Sequence, residues 1–327
     1  MDLISYTTLI KSYTQKEEII KVNKIFNEIE QNKLQLDTKI IVIYSELLFL
    51  HGQYNEAYQL IEKYNNSLNL LNDVNIIINL CYGSIINLKE NKAAQYYSIL
   101  KNKKIHIEKR ILLLQASIQN EWHEFLQIII SDIGENEYNS KLYTILLNYY
   151  SRNQKKLEYL LLYQKLKLDN NLINLDIYLI NSLINGFNLL KLPFRSLQQF
   201  DMLECMNLKP NEATLSIILD TTSHHQLPER FESIWNKYSN NNNKDIQLNS
   251  NHYSNYLEGL ARLGYIEEAI QFLYQNSSKI EFNLKTYSIL IQYCKKFNLI
   301  HDKLMLIKTF LLDQFPQHRN QILKLFF

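Results

Sequence analysis

The chain has 327 residues, of which 46% are hydrophobic, and its formal net charge is +2. No apolar run approaches the roughly 18 residues that a membrane span requires, so we expect a soluble protein that does not enter a membrane. The charge is too close to neutral to attract nucleic acid through its bulk field, and only 6 Gly and 4 Pro occur, which favours helices over folds rich in tight turns.

The three cysteines, Cys81, Cys205 and Cys294, are far apart in the sequence. Their number and spacing indicate a reducing compartment and neither a disulfide framework nor a zinc site. Cys205 and Cys294 are interpreted as small hydrophobic residues of the core.

The first two predicted helices carry apolar stripes with helical spacing. The stripes consist of Tyr6, Leu9, Ile10 and Tyr13 in the first helix and of Ile25, Phe26 and Ile29 in the second. One hairpin cannot bury both stripes, whereas stacked hairpins bury them continuously.

The opening segment, Leu3–Ile10, recurs along the chain. A close copy lies at Leu284–Ile291, and shorter copies lie at Leu142–Leu147 and Leu179–Ile184. The copies fit a period of about 35 residues, which is typical of two-helix repeats.

In this register the chain divides into nine repeats and a short tail. Their bounds are 3–37, 38–72, 73–108, 109–139, 140–176, 177–211, 212–249, 250–283 and 284–318, with the tail at 319–327. The periodicity therefore predicts a single all-α array without a domain boundary, in the form of a superhelical α-solenoid.

Several segments of the chain resemble the pentatricopeptide repeat. Segment 5–10 reads SYTTLI, similar to the opening of that repeat, and segment 207–211 reads NLKPN, similar to its ending. Gly264 lies between two helices, and Ala269 lies early in the second helix, as in the family. Tetratricopeptide repeats have a similar length, but neither tryptophan occupies the place expected for them. The resemblance implies a right-handed α-solenoid of about nine helix-turn-helix repeats, without an editing domain.

The resemblance also implies a way of binding single-stranded RNA. In this family each repeat addresses one base through two or three side chains. The main base-reading residue follows the aromatic that opens the first helix, and its partner is the last residue of the repeat. The implied pairs are Thr7 with Asp37, Thr144 with Asp176, Asn181 with Asn211, Ser216 with Asn249, and Ser254 with Asn283, while Ser288 lacks a clear partner.

A competing interpretation of these residues is purely structural. Ser and Thr near a helix start are common caps, and Asn or Asp at the end of a repeat is an ordinary N-cap. The recurrence of five polar pairs in the same register favours base recognition over this structural interpretation.

Repeats 2 to 4 depart from the pattern. Apolar side chains occupy their reading place, namely Val42, Ile77 or Ile78, and Leu112 or Leu113. Such groups cannot discriminate a base edge, so these repeats are expected to act as spacers or to bind another partner.

Cations late in the first helix of a repeat form a second series. Its members are Arg152, His224, Arg262 and Lys296, and Leu189 interrupts it. The family usually has Lys there, facing the RNA backbone. One cation per repeat in one groove would follow a phosphate chain despite the near-neutral total charge. We expect Arg262 and Lys296 to share this groove with Ser254 and Ser288.

Catalytic and cofactor motifs are not found in the sequence. It has no zinc-deaminase signature, no Gly-rich phosphate loop and no HExxH arrangement around His224 and His225. We therefore expect a binding protein, not an enzyme, that needs no cofactor and no metal.

The expected function is sequence-selective binding of organellar RNA. Members of this family mostly serve mitochondrial or plastid transcripts, so the resemblance implies a mitochondrial location, although no transit peptide is visible. Processing, splicing, stability, ribosomal RNA maturation and translation all remain open. One alternative is a protein-interaction scaffold with a peptide in its groove. Another is a protein partner on the first four repeats, with RNA on the rest.

The family's correspondence between residue pairs and bases implies a binding sequence. Thr–Asp corresponds to G, Asn–Asn to a pyrimidine with C preferred, and Ser–Asn to A. Repeats 5 to 8 therefore imply 5′-G-C/U-A-A-3′, with a further G about four positions upstream for the first repeat. A carboxylate accepts from the N1–H and N2–H of guanine, which agrees with this assignment.

Overall fold

A computed structural model describes the chain apart from residues 1–2, 33, 35, 102, 170–174, 207, 240–245, 278, 281, 298–304, 306, 310–311, 313–318 and 327. Its described part contains α-helices and short 3₁₀ turns and no β-strand, so the predicted all-α class is confirmed. The chain divides into two compact halves, Met1–Tyr138 and Asn139–Phe327. The division coincides with the predicted boundary between repeats 4 and 5.

The first helix of each repeat is called the A helix and the second the B helix. The amino-terminal half contains α1 (Leu3–Gln15), α2 (Ile19–Gln31), α3 (Thr38–Leu50), α4 (Tyr54–Leu68), α5 (Val74–Ile86), α6 (Glu90–Leu100), α7 (Ile107–Gln119) and α8 (His123–Ser131). The carboxy-terminal half contains α9 (Ser140–Arg152), α10 (Lys156–Leu168), α11 (Ile177–Leu189), α12 (Pro193–Cys205), α13 (Glu212–His224), α14 (Pro228–Ser239), α15 (Ser250–Leu263), α16 (Ile266–Asn276), α17 (Leu284–Lys296) and α18 (Arg319–Phe326). Odd numbers from α1 to α17 are A helices, and even numbers to α16 are B helices.

The core of each half lies between successive helix pairs. In the amino-terminal half, Ile10 and Ile29 from the two predicted stripes are fully buried. In the carboxy-terminal half, Trp235 of α14 stacks on Tyr256 of α15, with ring centroids 4.1 Å apart. Burying such side chains contributes about 1.5–3 kcal/mol each, so stacking of neighbouring repeats stabilises hairpins that would not fold alone.

The turn between the A and B helices has the same backbone in the eight repeats where it is described. The fifteenth residue, counted from the start of the A helix, has a positive φ, and the next residue donates its N–H to the carbonyl of the eleventh residue over 2.8–3.0 Å. This is the Schellman ending of a helix. Only Gly52 and Gly264 satisfy the glycine preference of that position; the other six turns place larger residues there with φ of 55–59°.

Repeat 4 begins earlier than its sequence suggests. Helix α7 starts at Ile107, two residues before the predicted boundary of 109, because the side chain of His106 caps it. The fifth residue of this helix is therefore Ile111, and the reading place assigned to Leu112 or Leu113 was wrong. Helix α5, by contrast, starts at Val74, one residue after the predicted boundary of 73. Its fifth residue is Ile78.

The tail at 319–327 contains a helix, α18, whose Ile322 is buried. One expectation about the cysteines is corrected: Cys205 lies at the exposed end of α12, whereas Cys81 and Cys294 are buried, and burial raises the pKa of the Cys81 thiol. Among the described helices, none has the length and apolar character needed to cross a membrane.

The shared turn predicts opposite effects of two substitutions in the carboxy-terminal half. At Gly264, φ is +90° and an added Cβ would lie 3.4 Å from Phe297, so Gly264→Ala should lower the free energy of unfolding by about 1–2 kcal/mol. At the exposed Lys191, φ is 58°, so Lys191→Gly should raise it by about 1 kcal/mol. Urea denaturation followed by circular dichroism measures both, and changes of the same sign would contradict the turn geometry.

Candidate nucleic-acid interface

The residue before each described A helix from α3 to α17 caps that helix. These residues are Asp37, Asp73, His106, Asn139, Asp176, Asn211, Asn249 and Asn283. Each side chain accepts a hydrogen bond from a backbone N–H at the start of the helix, because the first N–H groups of a helix lack partners within it. The capping role of the five predicted partner residues is thus confirmed. Asp73, His106 and Asn139 complete the series, although no predicted reading pair includes them.

The predicted base-reading residues all lie at the fifth position of an A helix. The fourth position holds a core side chain: Tyr143, for example, is fully buried and donates its hydroxyl to Asp169 over 2.6 Å. This anchor sets the rotation of the helix and hence the place of the fifth residue. Four of them are half-buried, namely Thr7, Thr144, Ser216 and Ser288. Asn181 and Ser254 are buried, with 7% and 4% of their surface exposed.

One predicted pair is in direct contact. The Nδ2 of Asn181 donates to the Oδ1 of Asn211 over 3.2 Å. Thr214, the third residue of α13, joins both, since its Oγ1 donates to the Oδ1 of Asn181 over 2.8 Å and lies 2.9 Å from the Oδ1 of Asn211. In repeat 6 the fifth residue of the A helix is therefore hydrogen-bonded to the next cap.

In repeat 5 the first residue of the A helix lies between the predicted pair. Ser140 donates its hydroxyl to the Oδ2 of Asp176 and accepts, at its carbonyl oxygen, the hydroxyl of Thr144 over 2.9 Å. Both carboxylate oxygens of Asp176 are thus engaged, because Oδ1 caps α11.

In repeat 7, as in repeat 5, the first residue of the A helix is hydrogen-bonded to the next cap. The Nδ2 of Asn249 donates to the Oε2 of Glu212 over 2.8 Å, and Glu212 is the first residue of α13. In repeat 8 the partner Asn283 accepts both the backbone N–H and the hydroxyl of Thr286. In repeat 1 the Oδ1 of Asp37 caps α3 by accepting the backbone N–H of Lys39 over 2.7 Å. The predicted pairs are therefore similar in position and different in their hydrogen bonds.

The apolar fifth residues of repeats 2 to 4 differ in exposure. Val42 is half-buried, whereas Ile78 and Ile111 are each 1% exposed. The latter two belong to the core and are not accessible to a base.

The cations of the second series all lie at the thirteenth position of an A helix. Arg152 and Lys296 are exposed, and no ion pair with a carboxylate joins either of them in the part of the chain that is described. The Nζ of Lys296 lies 5.4 Å from the ring of Tyr293 and 5.9 Å from that of Phe297, within the range of cation–π attraction.

The other two cations share a carboxylate that the sequence did not suggest. Asp220, at the ninth position of α13, lies 3.0 Å from Arg262 and 3.3 Å from His224. Arg262 also pairs with the buried Glu258 over 3.3 Å, and its side chain is only 12% exposed. Burial by itself would raise the pKa of Asp220, but His224, Arg262 and a hydrogen bond from Asn188 lower it overall. The positive charge of Arg262 is therefore largely balanced within the protein. Whether it contacts phosphate stays a prediction.

No group of three or more His, Cys, Asp or Glu side chains in the described residues is arranged to hold a metal ion.

The family model described as PPR repeat matches residues 4–34. A pentatricopeptide repeat-containing protein of Arabidopsis thaliana is 29% identical over 119 residues, which cover 36% of this chain and 18% of the plant protein.

The fold is similar to that of the solved pentatricopeptide repeat protein PPR10. The crystal structure of PPR10 in complex with an 18-nt psaJ RNA element matches 95% of this chain and 45% of that protein, with a TM-score of 0.73 and 12% identity. PPR10 from maize matches with a TM-score of 0.51, over 95% of this chain and 54% of the other. The chain thus spans only part of the length of these relatives.

The stacked helix pairs and their shared turn define an α-solenoid of helix-hairpin repeats. With the family-model match at residues 4–34 and the likeness of the fold to PPR10, the predicted resemblance to pentatricopeptide repeat proteins is confirmed.

Arg262 is nearly buried and Arg152 is exposed, so we expect their replacement to change the free energy of unfolding to different extents. Arg262→Ala removes the partner of the buried Glu258, so the free energy of unfolding should fall by about 2–4 kcal/mol. Arg152→Ala, at the same position of α9 but exposed, should change it by less than about 0.5 kcal/mol. Urea denaturation of the two variants tests this, and equal effects would contradict the buried ion pair.

Proposed function

We propose that the chain binds single-stranded RNA through the polar fifth residues of its A helices and the capping residues that follow them. The observation that carries the proposal is the contact between Asn181 and Asn211, since two polar side chains from the start and the end of one repeat form one hydrogen-bonding surface. Each repeat with such a pair addresses one base.

The bases implied for repeats 5 to 8 are 5′-G-C/U-A-A-3′, with an upstream G for repeat 1. Four bases do not define a unique transcript site, so other repeats or a partner must contribute. The complex of PPR10 with an RNA element supports the class of ligand.

Local charge has to supply the attraction to phosphate, since the net charge of the chain is only +2. Arg152 and Lys296 are exposed at equivalent positions of α9 and α17, which suits contact with a phosphate chain. Arg262 and His224 are proposed as weaker contacts because Asp220 competes for them.

Repeats 3 and 4 have no accessible polar fifth residue, because Ile78 and Ile111 are buried. We propose that they do not read bases. A protein partner on the first four repeats is the second candidate.

The proposed role is that of a binder without catalytic activity or cofactor. By analogy with the family, the RNA is a mitochondrial transcript, and binding serves its processing, splicing, stability, maturation or translation. A peptide-binding scaffold is the alternative for the whole chain. Crosslinking followed by sequencing separates the two, because a scaffold would yield protein crosslinks without an RNA footprint.

The exposed cations allow a test of phosphate contact. Replacing both Arg152 and Lys296 by Ala should weaken RNA binding similarly for all sequences and reduce the salt slope by roughly 0.7 for each lost contact. The control variant replaces the exposed Lys156 of α10 and Lys324 of α18 by Ala, with the same change in charge. Fluorescence anisotropy at several salt concentrations gives both quantities. Equal slopes for the two variants would exclude these phosphate contacts.

Base reading is tested by changing one capping residue. In Asn211→Asp the cap oxygen is retained, but the amide donor becomes an acceptor, so the preference of repeat 6 should move from C toward U. Asn283→Asp is the control, because it should alter the base of repeat 8 and leave that of repeat 6 unchanged. Selection from a random single-stranded RNA pool reveals both shifts. If the variants and the parent select the same bases, the capping residues have only a structural role.

A further inference from the structure

We infer that Thr214 is a positioning residue that fixes the amide orientations of Asn181 and Asn211, and that this makes repeat 6 select cytosine over uracil. The inference rests on the proposed RNA-binding function. It adds a third side chain, from the following repeat, to the pair implied by the family.

The orientation of Asn211 follows from the start of helix α13. Its side chain accepts the backbone N–H of Thr214 over 3.0 Å. Only the amide oxygen can accept this hydrogen bond, so Oδ1 faces the helix and Nδ2 lies on the other side. The helix needs a cap, and this requirement fixes the orientation of the Asn211 amide.

The orientation of Asn181 follows from that of Asn211. The Asn181 amide atom 3.2 Å from the Oδ1 of Asn211 must be a donor, hence Nδ2. The Oδ1 of Asn181 is then the atom 2.8 Å from the Oγ1 of Thr214. That hydroxyl accepts the backbone N–H of Asn211 over 3.1 Å and directs its own proton to the two amide oxygens.

Burial makes the arrangement persistent. Thr214 is fully buried and Asn181 is only 7% exposed, so water has little access to the hydrogen bond between them. A buried polar network in which each member has a partner specifies one arrangement, because leaving a buried polar group without a partner is destabilising.

Donors predominate among the atoms left for a base. The Oδ1 of Asn211 accepts three hydrogen bonds and the Oδ1 of Asn181 accepts one from Thr214, whereas the second N–H of Asn181 and the NH₂ group of the half-buried Asn211 have no partner among the described residues. Cytosine presents two adjacent acceptors, O2 and N3, on its Watson–Crick edge. Uracil presents N3–H, a donor, at the central position, which meets another donor. The donor-rich surface therefore favours cytosine.

The neighbouring repeats lack this arrangement. In repeat 7 the Nδ2 of Asn249 is engaged by Glu212. In repeat 8 the residue equivalent to Thr214 is Thr286, whose hydroxyl donates to Glu258 instead of the base-reading residue. Repeat 6 begins with the apolar Ile177, which cannot engage the cap in the way Glu212 does.

The experiment measures the ratio of affinities for C and U at the repeat-6 position in the full chain. Thr214→Val keeps the shape of the side chain and removes the hydroxyl, which frees the Oδ1 of Asn181 to accept the N3–H of uracil. The preference for C should fall by about two- to tenfold, the range that one hydrogen bond provides. Thr214→Ser, which retains the hydroxyl, should restore it.

Thr286→Val is the matched control. It removes a buried hydroxyl next to a helix cap in the same half of the chain and should leave the C/U ratio of repeat 6 unchanged. An unchanged ratio in Thr214→Val, or an equal fall in Thr286→Val, overturns the inference.

A second measurement separates this inference from the proposed function. A double-mutant cycle on thermal stability with Thr214→Val and Asn181→Ala needs no RNA, and coupled effects are expected because the two residues share a hydrogen bond. Additive effects overturn the hydrogen-bond network itself. Coupled effects in a chain that binds no RNA would overturn the proposed function, and with it the selectivity inferred here, while the network would stand.

Discussion

The start of each A helix imposes the constraint on which the candidate interface depends. The first backbone N–H groups of a helix have no partners within it, so a polar side chain has to precede the helix. In this chain the requirement recurs at every repeat from α3 to α17, and it places Asp or Asn at nearly all of these positions. A residue that caps one A helix therefore also lies beside the fifth residue of the preceding A helix, as Asn211 lies beside Asn181. A cap needs only one oxygen of the amide or carboxylate. At Asn211 the NH₂ group stays available for a base, whereas the second polar atom bonds to Ser140 at Asp176 and to Glu212 at Asn249.

Charge in the candidate interface is arranged locally. Asp220 and Glu258 lie at the ninth position of successive A helices, and without Arg262 they would oppose a phosphate chain. Their pairing with Arg262 makes this cation a structural group first. The exposed Arg152 and Lys296 have no such role among the described residues, which makes them better suited to an anionic ligand. Cations at the same position of the repeat are thus distinguished by their neighbours.

The repeats are also unequal in their hydrogen bonds. Repeats 5 and 7 use the first residue of the A helix, Ser140 or Glu212, to hold the next cap, whereas repeat 6 links its cap directly to Asn181. The same pair of residue types can therefore present different donors and acceptors, depending on residues outside the pair. A correspondence between two residues and one base leaves this dependence out.

The sequence by itself determined the helical repeat, the places of the A helices and the alignment of the fifth residues with the caps, because apolar periodicity and capping are local properties of the chain. It did not determine that α7 begins at Ile107, since His106 is a less common cap. It did not determine that Arg262 is nearly buried or that Cys205 is exposed. Those properties depend on contacts between side chains of different repeats, such as Arg262 with Asp220 or Thr214 with Asn181. These residues, 42 and 33 positions apart, meet only when the helices stack, and the tertiary structure alone decides which of their atoms remain free.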